Sequence, residues 1–97
     1  MAEEKKQQLQ IEMDDKTARG VYSNVAVIFH NQNEFIMDFA LLNPPKNMVV
    51  SRIITNPAHA KSFLKALTDN INQYEKQFGE IKATKGPEQL GVKISPN

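Results

Sequence analysis

One long helix with a start signal, a stop signal and a single apolar stripe is written into residues 57–78, and it constrains the chain more than any other stretch. Thr55 or Asn56 can accept from the first free N–H groups, and Pro57 suits the first helical position, where its missing N–H costs nothing. Gly79 stands where a left-handed C-terminal cap is wanted. Between these signals Ala60, Leu64, Leu67, Ile71, Tyr74 and Phe78 recur at alternating spacings of four and three, and Phe63 widens the stripe. A stripe of that width must lie on something, so the preceding residues have to supply a surface for it.

They supply strands. Leu9, Ile11 and Met13 alternate with Gln8, Gln10 and Glu12, the period of a half-buried strand. Asp14-Asp15-Lys16 and Arg19-Gly20 follow as a polar loop; the two aspartates lack a third ligand nearby and read as a solvated turn. Val21 to His30 is the second strand, with Val25, Val27 and Phe29 on one face and Ala26 and Ile28 on the other. Asn31-Gln32-Asn33 makes the turn into the third strand, Glu34 to Leu42. Asn43-Pro44-Pro45-Lys46-Asn47 must be a loop, because two prolines cannot donate to a ladder. Met48 to Ile54 is the fourth strand and runs straight into the cap of the long helix. The expected fold is α+β: a four-stranded antiparallel meander followed by one long C-terminal helix packed on one sheet face. Residues 1–7 are expected as a flexible arm, 8–81 as a single domain and 82–97 as a flexible tail. In that tail Leu90, Val92 and Ile94 alternate briefly, the pattern of a short added strand.

With Pro45 at the centre of its loop, residues whose numbers sum to ninety lie opposite one another. Leu42 then faces Met48, Ala40 faces Val50, Asp38 faces Arg52 and Ile36 faces Ile54. Asp38 and Arg52 thus form a candidate structural ion pair, the alternative being a charged spot within a binding surface. Both sheet faces are rich in apolar residues, and one helix covers only one face. The surplus face would show Ala26, Ile28, Ile36, Ala40, Leu42, Val50 and Ile54. A patch of this kind points to a partner, most simply another copy of the chain, as a dimer or higher assembly. The helix, at ~33 Å, also overhangs strands of ~26 Å. The candidate interaction surface is therefore Ile28, Ile36 and Val50 on the sheet with Ile71, Tyr74 and Phe78 on the helix.

Chemistry is harder to find. The 97 residues contain no cysteine, which removes disulfides, thiolate metal sites and cysteine nucleophiles together. His30 and His59 have no metal-ligand spacing, no serine sits in a nucleophile-elbow context, and four scattered glycines make no phosphate loop. No catalytic, metal or cofactor-binding residue is expected, nor an enzyme. Twelve basic against eleven acidic residues set up no strong field for nucleic acid or an anionic membrane. Tyr22, Phe29, Phe35 and Phe39 are spaced as in aromatic platforms that stack single-stranded bases, but their neighbours are Asn, Met and Asp, and they read as core. No apolar run approaches the ~20 residues of a membrane span and no signal-peptide pattern follows Met1, so the expected compartment is the cytoplasm.

Gly20-Val21-Tyr22-Ser23-Asn24, the segment 34–39, Ser51-Arg52-Ile53-Ile54-Thr55-Asn56-Pro57-Ala58-His59-Ala60-Lys61, Lys65-Ala66-Leu67, Asp69-Asn70-Ile71 and 74–79 occur here in one order. Together they resemble the bacterial domain-of-unknown-function family 3467, over about residues 8–81. That resemblance implies a bacterial protein and brings no activity with it. A topological resemblance to the SecB-like export-chaperone fold, whose members assemble and hold unfolded chains, implies a holdase as an alternative to a homo-oligomeric protein- or peptide-binding module. SecB is markedly acidic and this chain is near neutral. A weak single-stranded nucleic-acid binder is the remaining alternative.

Overall fold

Local capping decides where the chain is helical. In the computed structural model, which describes residues 8–95, the first helix is α1, Asp15–Arg19. The arm expected over residues 1–7 lies outside the described residues, as do residues 96 and 97. Asp14 sits just before α1, where its Oδ1 accepts from the Thr17 N–H at 2.7 Å, and Gly20 ends the helix at φ 72°. The stretch expected as a polar loop is thus a capped helical turn. The Thr17 hydrogen bonds hold the Asp14 carboxyl below the ordinary carboxylate range.

Three strands follow: β1, Val25–His30; β2, Phe35–Asn43; and β3, Lys46–Thr55. They form one antiparallel sheet in the order β1-β2-β3. The fourth strand expected around Leu9, Ile11 and Met13 is absent among the described residues, where these three side chains stand exposed. Alternation marks a face but supplies no ladder, and α1 with residues 20–24 separates this segment from the sheet. β1 likewise begins four residues later than expected, leaving Val21 and Tyr22 exposed.

Asn31 organises the first turn. Its Oδ1 accepts from the N–H groups of Asn33 and Glu34, both at 2.9 Å, and its own N–H donates to the Glu34 carbonyl. Glu34 therefore belongs to the turn, and His30 pairs with Phe35. That extra turn residue changes which side chains share a face. Val25, Val27 and Phe29 lie opposite Ala40, Asp38 and Ile36, whereas Ile28 lies opposite Met37. The expected grouping of Ile28 with Ile36 is corrected accordingly: they occupy opposite faces of the sheet.

The second hairpin turns on Pro44 and Pro45 alone, joined by a cis peptide bond, with Asn43 opposite Lys46. Near the turn Leu42 meets Asn47, Leu41 meets Met48 and Ala40 meets Val49, so the expected Leu42–Met48 and Ala40–Val50 pairs do not form. A bulge then intervenes between Phe39 and Ala40, with Val50 the extra residue. Beyond it Phe39 meets Ser51, Asp38 meets Arg52, Met37 meets Ile53 and Ile36 meets Ile54, as expected.

Just before β1, Asn24 extends the β1–β2 ladder with its side chain. Its Nδ2 donates to the Leu42 carbonyl at 3.1 Å, and its Oδ1 accepts from the Leu42 N–H at 2.8 Å. Asn24→Ala removes both bonds, and urea denaturation is expected to show a loss of about 1 kcal/mol at unchanged slope. A neutral effect would mean that water replaces this clamp without penalty.

The long helix, α2, runs Pro57–Phe78 with the expected signals: the Asn56 side chain accepts from the His59 N–H at 2.7 Å, and Gly79 follows at φ 100°. It does not pack on its own sheet. None of its residues is buried, and its only connection to β3 is Asn56. Thr55 Oγ1 lies 2.7 Å from His59 Nδ1 across the same joint. Connections that fold a helix back over its strand generally need 2–6 residues, so a braced single-residue link projects α2 away from β3.

The region expected as a tail contains α3, Pro87–Leu90, which packs against β1. Beyond it Val92 and Ile94 are half-buried. The enclosed core is small: among the described residues, Val25, Met37 and Ala40 are its buried apolar side chains, and Asp38 is the buried charged one.

Candidate interaction surface

Asp38 has a charge in the middle of the central strand, and Arg52 is placed directly across from it. Arg52 Nε donates to Asp38 Oδ1 at 2.6 Å and Nη2 donates to Oδ2 at 2.7 Å, a two-pronged pair. The Asp38 side chain is wholly enclosed, while that of Arg52 remains 53% exposed. The guanidinium also lies 5.8 Å from the centroid of the Phe29 ring, which the first hairpin brings to the same face. The Arg52 hydrogen bonds hold the Asp38 carboxyl below its ordinary value; burial opposes them and the Arg52 charge adds to them. Both carboxylate oxygens of Asp38 are thus engaged by Arg52, and the pair ties β2 to β3.

The sheet has two unlike faces. On the Asp38 face, the segment Val92–Ser95 borders Ala40, Leu42 and Val49, leaving an open cleft of about 560 Å³ with Arg52 at its margin. Sequence reasoning missed both this cover and the Phe29–Arg52 contact, although the alternation of Leu90, Val92 and Ile94 was a signal for the first. On the Met37 face lie Ala26, Ile28, Phe35, Phe39, Leu41, Met48 and Ile53, and of these Ile28, Met48 and Ile53 are exposed.

The candidate residues are accordingly divided. Ile36 is half-buried on the Asp38 face, Val50 is half-buried at the bulge, and Ile28 is exposed on the Met37 face. Ile71, Tyr74 and Phe78 remain together on α2, exposed by 38, 49 and 66%. Tyr74 and Phe78 touch, with ring centroids 4.9 Å apart, and Ile81 returns beside them through its N–H to Glu75 Oε2. Phe63, Leu64 and Leu67 continue this stripe and are exposed as well.

The aromatic side chains do not form one platform. Phe29 is on the Asp38 face, while Phe35 and Phe39 are half-buried on the other. His30 stacks on Phe35 with centroids 5.2 Å apart, and His59 serves the joint before α2. Among the described residues no three His, Cys, Asp or Glu side chains come together as a metal site. No described helix is long and apolar enough to cross a membrane.

A family model described as a protein of unknown function, DUF3467, matches residues 1–83. No curated protein and no solved structure matches the chain.

Proposed function

The chain belongs to DUF3467, a family of unknown function, and we propose that it is a small cytoplasmic homo-oligomeric protein-interaction module. The observation that carries this reading is its surplus of surface. The chain exposes 9517 Å² at a mass of 11.0 kDa, against about 5600 Å² for a compact monomer of that size. Its radius of gyration is 17.1 Å, where about 12.5 Å is usual for this length. Exposed large apolar side chains stand on α2, on the Met37 face and along residues 9–22. Such area is normally removed from water by association. The outer edge of β3 also pairs with no strand among the described residues, a place where an extended peptide could add.

Sedimentation at micromolar concentration is the direct measurement, with at least a dimer expected. A monomer at all concentrations would overturn the reading. The open Met37 face also favours a second reading, a holdase that binds unfolded chains on the same apolar surface. Suppression of aggregation of an unrelated unfolded protein would support the holdase, and its absence beside stable self-association would leave the interaction module.

A further inference from the structure

Among the described residues, apolar side chains stand exposed along residues 9–22, on α2 and on the Met37 face, and the last two surfaces are of similar length. The α2 stripe from Phe63 to Phe78 spans about 22 Å at the rise of a helix. The Met37 face, from Phe35 to Leu41 along β2, spans about 20 Å at the rise of a strand. Within one chain the two do not pack together, and Asn56 is the whole connection between β3 and α2. That connection is braced by the His59 N–H, which donates to Asn56 Oδ1, and by the hydrogen bond between Thr55 Oγ1 and His59 Nδ1. The Asp38 face is not the free seat, since Val92–Ser95 already border it.

We infer that α2 of one copy lies along the Met37 face of a second copy, reciprocally about a two-fold axis. This rests on the homo-oligomer reading and names its interface. Each protomer then contributes one helix stripe and one sheet face. Phe63, Leu64, Leu67, Ile71, Tyr74 and Phe78 on the stripe and Ile28, Met48 and Ile53 on the face are 38–66% exposed; at roughly 200 Å² for a large side chain, covering them fully would bury roughly 900 Å² per protomer, near the ~800 Å² of a standard stable interface. Two-fold closure satisfies both surfaces of both copies and leaves no open end for further growth. A helix-on-helix dimer would cover the stripe and leave Ile28, Met48 and Ile53 in water.

The absence of cysteine makes the test clean. Leu67→Cys and Ile53→Cys variants are mixed under conditions that exchange subunits, then treated with a short bismaleimide. The mixture should give at least ~tenfold more crosslinked dimer than either variant alone, because seated thiols meet at mM effective concentration while collisions occur at μM. Efficient crosslinking of Leu67→Cys by itself, with no gain on mixing, would overturn the inference in favour of helix-on-helix pairing. An internal crosslink in a monomeric Leu67→Cys/Ile53→Cys chain would overturn it in favour of packing within one chain. A sedimenting dimer with none of these crosslinks would reject this interface and leave the homo-oligomer standing, whereas a monomer in sedimentation would reject both.

Discussion

Arg52→Ala is expected to lower the melting temperature by on the order of 10 °C, far beyond a surface bridge. The reason is that Asp38, wholly enclosed, loses both of its hydrogen-bond donors and its counter-charge in one step. The double replacement Asp38→Leu with Arg52→Leu should recover at least half of the loss, since it leaves no buried charge. The pH dependence has a definite sign. In the intact protein the Asp38 carboxyl is held below its unfolded value, so the unfolded chain binds more protons in acid. The pair's contribution is therefore complete above the ordinary aspartate value of ~3.9 and is lost as pH falls through the depressed one. In Arg52→Ala only burial remains, which pushes the carboxyl up, so the contribution of Asp38 to the variant's stability should rise as pH falls. Its deficit should be largest near pH 7 and shrink toward pH 3. A deficit of surface-bridge size that does not vary with pH would show the pair to be dispensable.

Met37→Ala is expected to cost about 2–4 kcal/mol, read as a lower urea midpoint at unchanged slope. Met37 is 6% exposed and lies between Ile28 and Ile53 on its face of the sheet. Few other buried apolar side chains exist among the described residues to share the loss, and small domains have only ~5–15 kcal/mol in all. Met37→Leu keeps most of the volume and should stay within ~1.5 kcal/mol. An alanine variant within 1 kcal/mol of the parent would mean that the site collapses freely and is no core position.

What the sequence made legible was local. The bounds of α2 followed from Asn56, Pro57 and Gly79, each acting within a residue or two of itself. Faces depended on turns, where one residue changes everything downstream. Assigning Glu34 to a strand placed Ile28 beside Ile36; its hydrogen bonds with Asn31 put it in the turn and Ile28 beside Met37 instead. The Asp38–Arg52 pair was legible for a reason only half correct, since a shorter turn and an unforeseen bulge offset each other. Whether α2 reaches its own sheet was not legible from its stripe, because the stripe reports what a helix must bury and says nothing of whose surface buries it. The alternation at Leu9, Ile11 and Met13 failed for the same reason. Both patterns are demands on a neighbour, and a sequence states the demand without the address.

The bulge at Val50 can be seen as a dislocation, a single surplus row in an otherwise regular lattice of pairs. Moving such a fault along the hairpin toward Pro44 and Pro45 would turn Met48 and Val49 over to opposite faces. The rows beyond the fault, from Phe39–Ser51 to Phe35–Thr55, would keep their partners wherever it stopped. The hairpin is therefore partitioned into an adjustable end and an indifferent one. Length changes at the proline turn reach Met48 and Val49, and through them the cleft beside Val92–Ser95, but they are absorbed before Arg52.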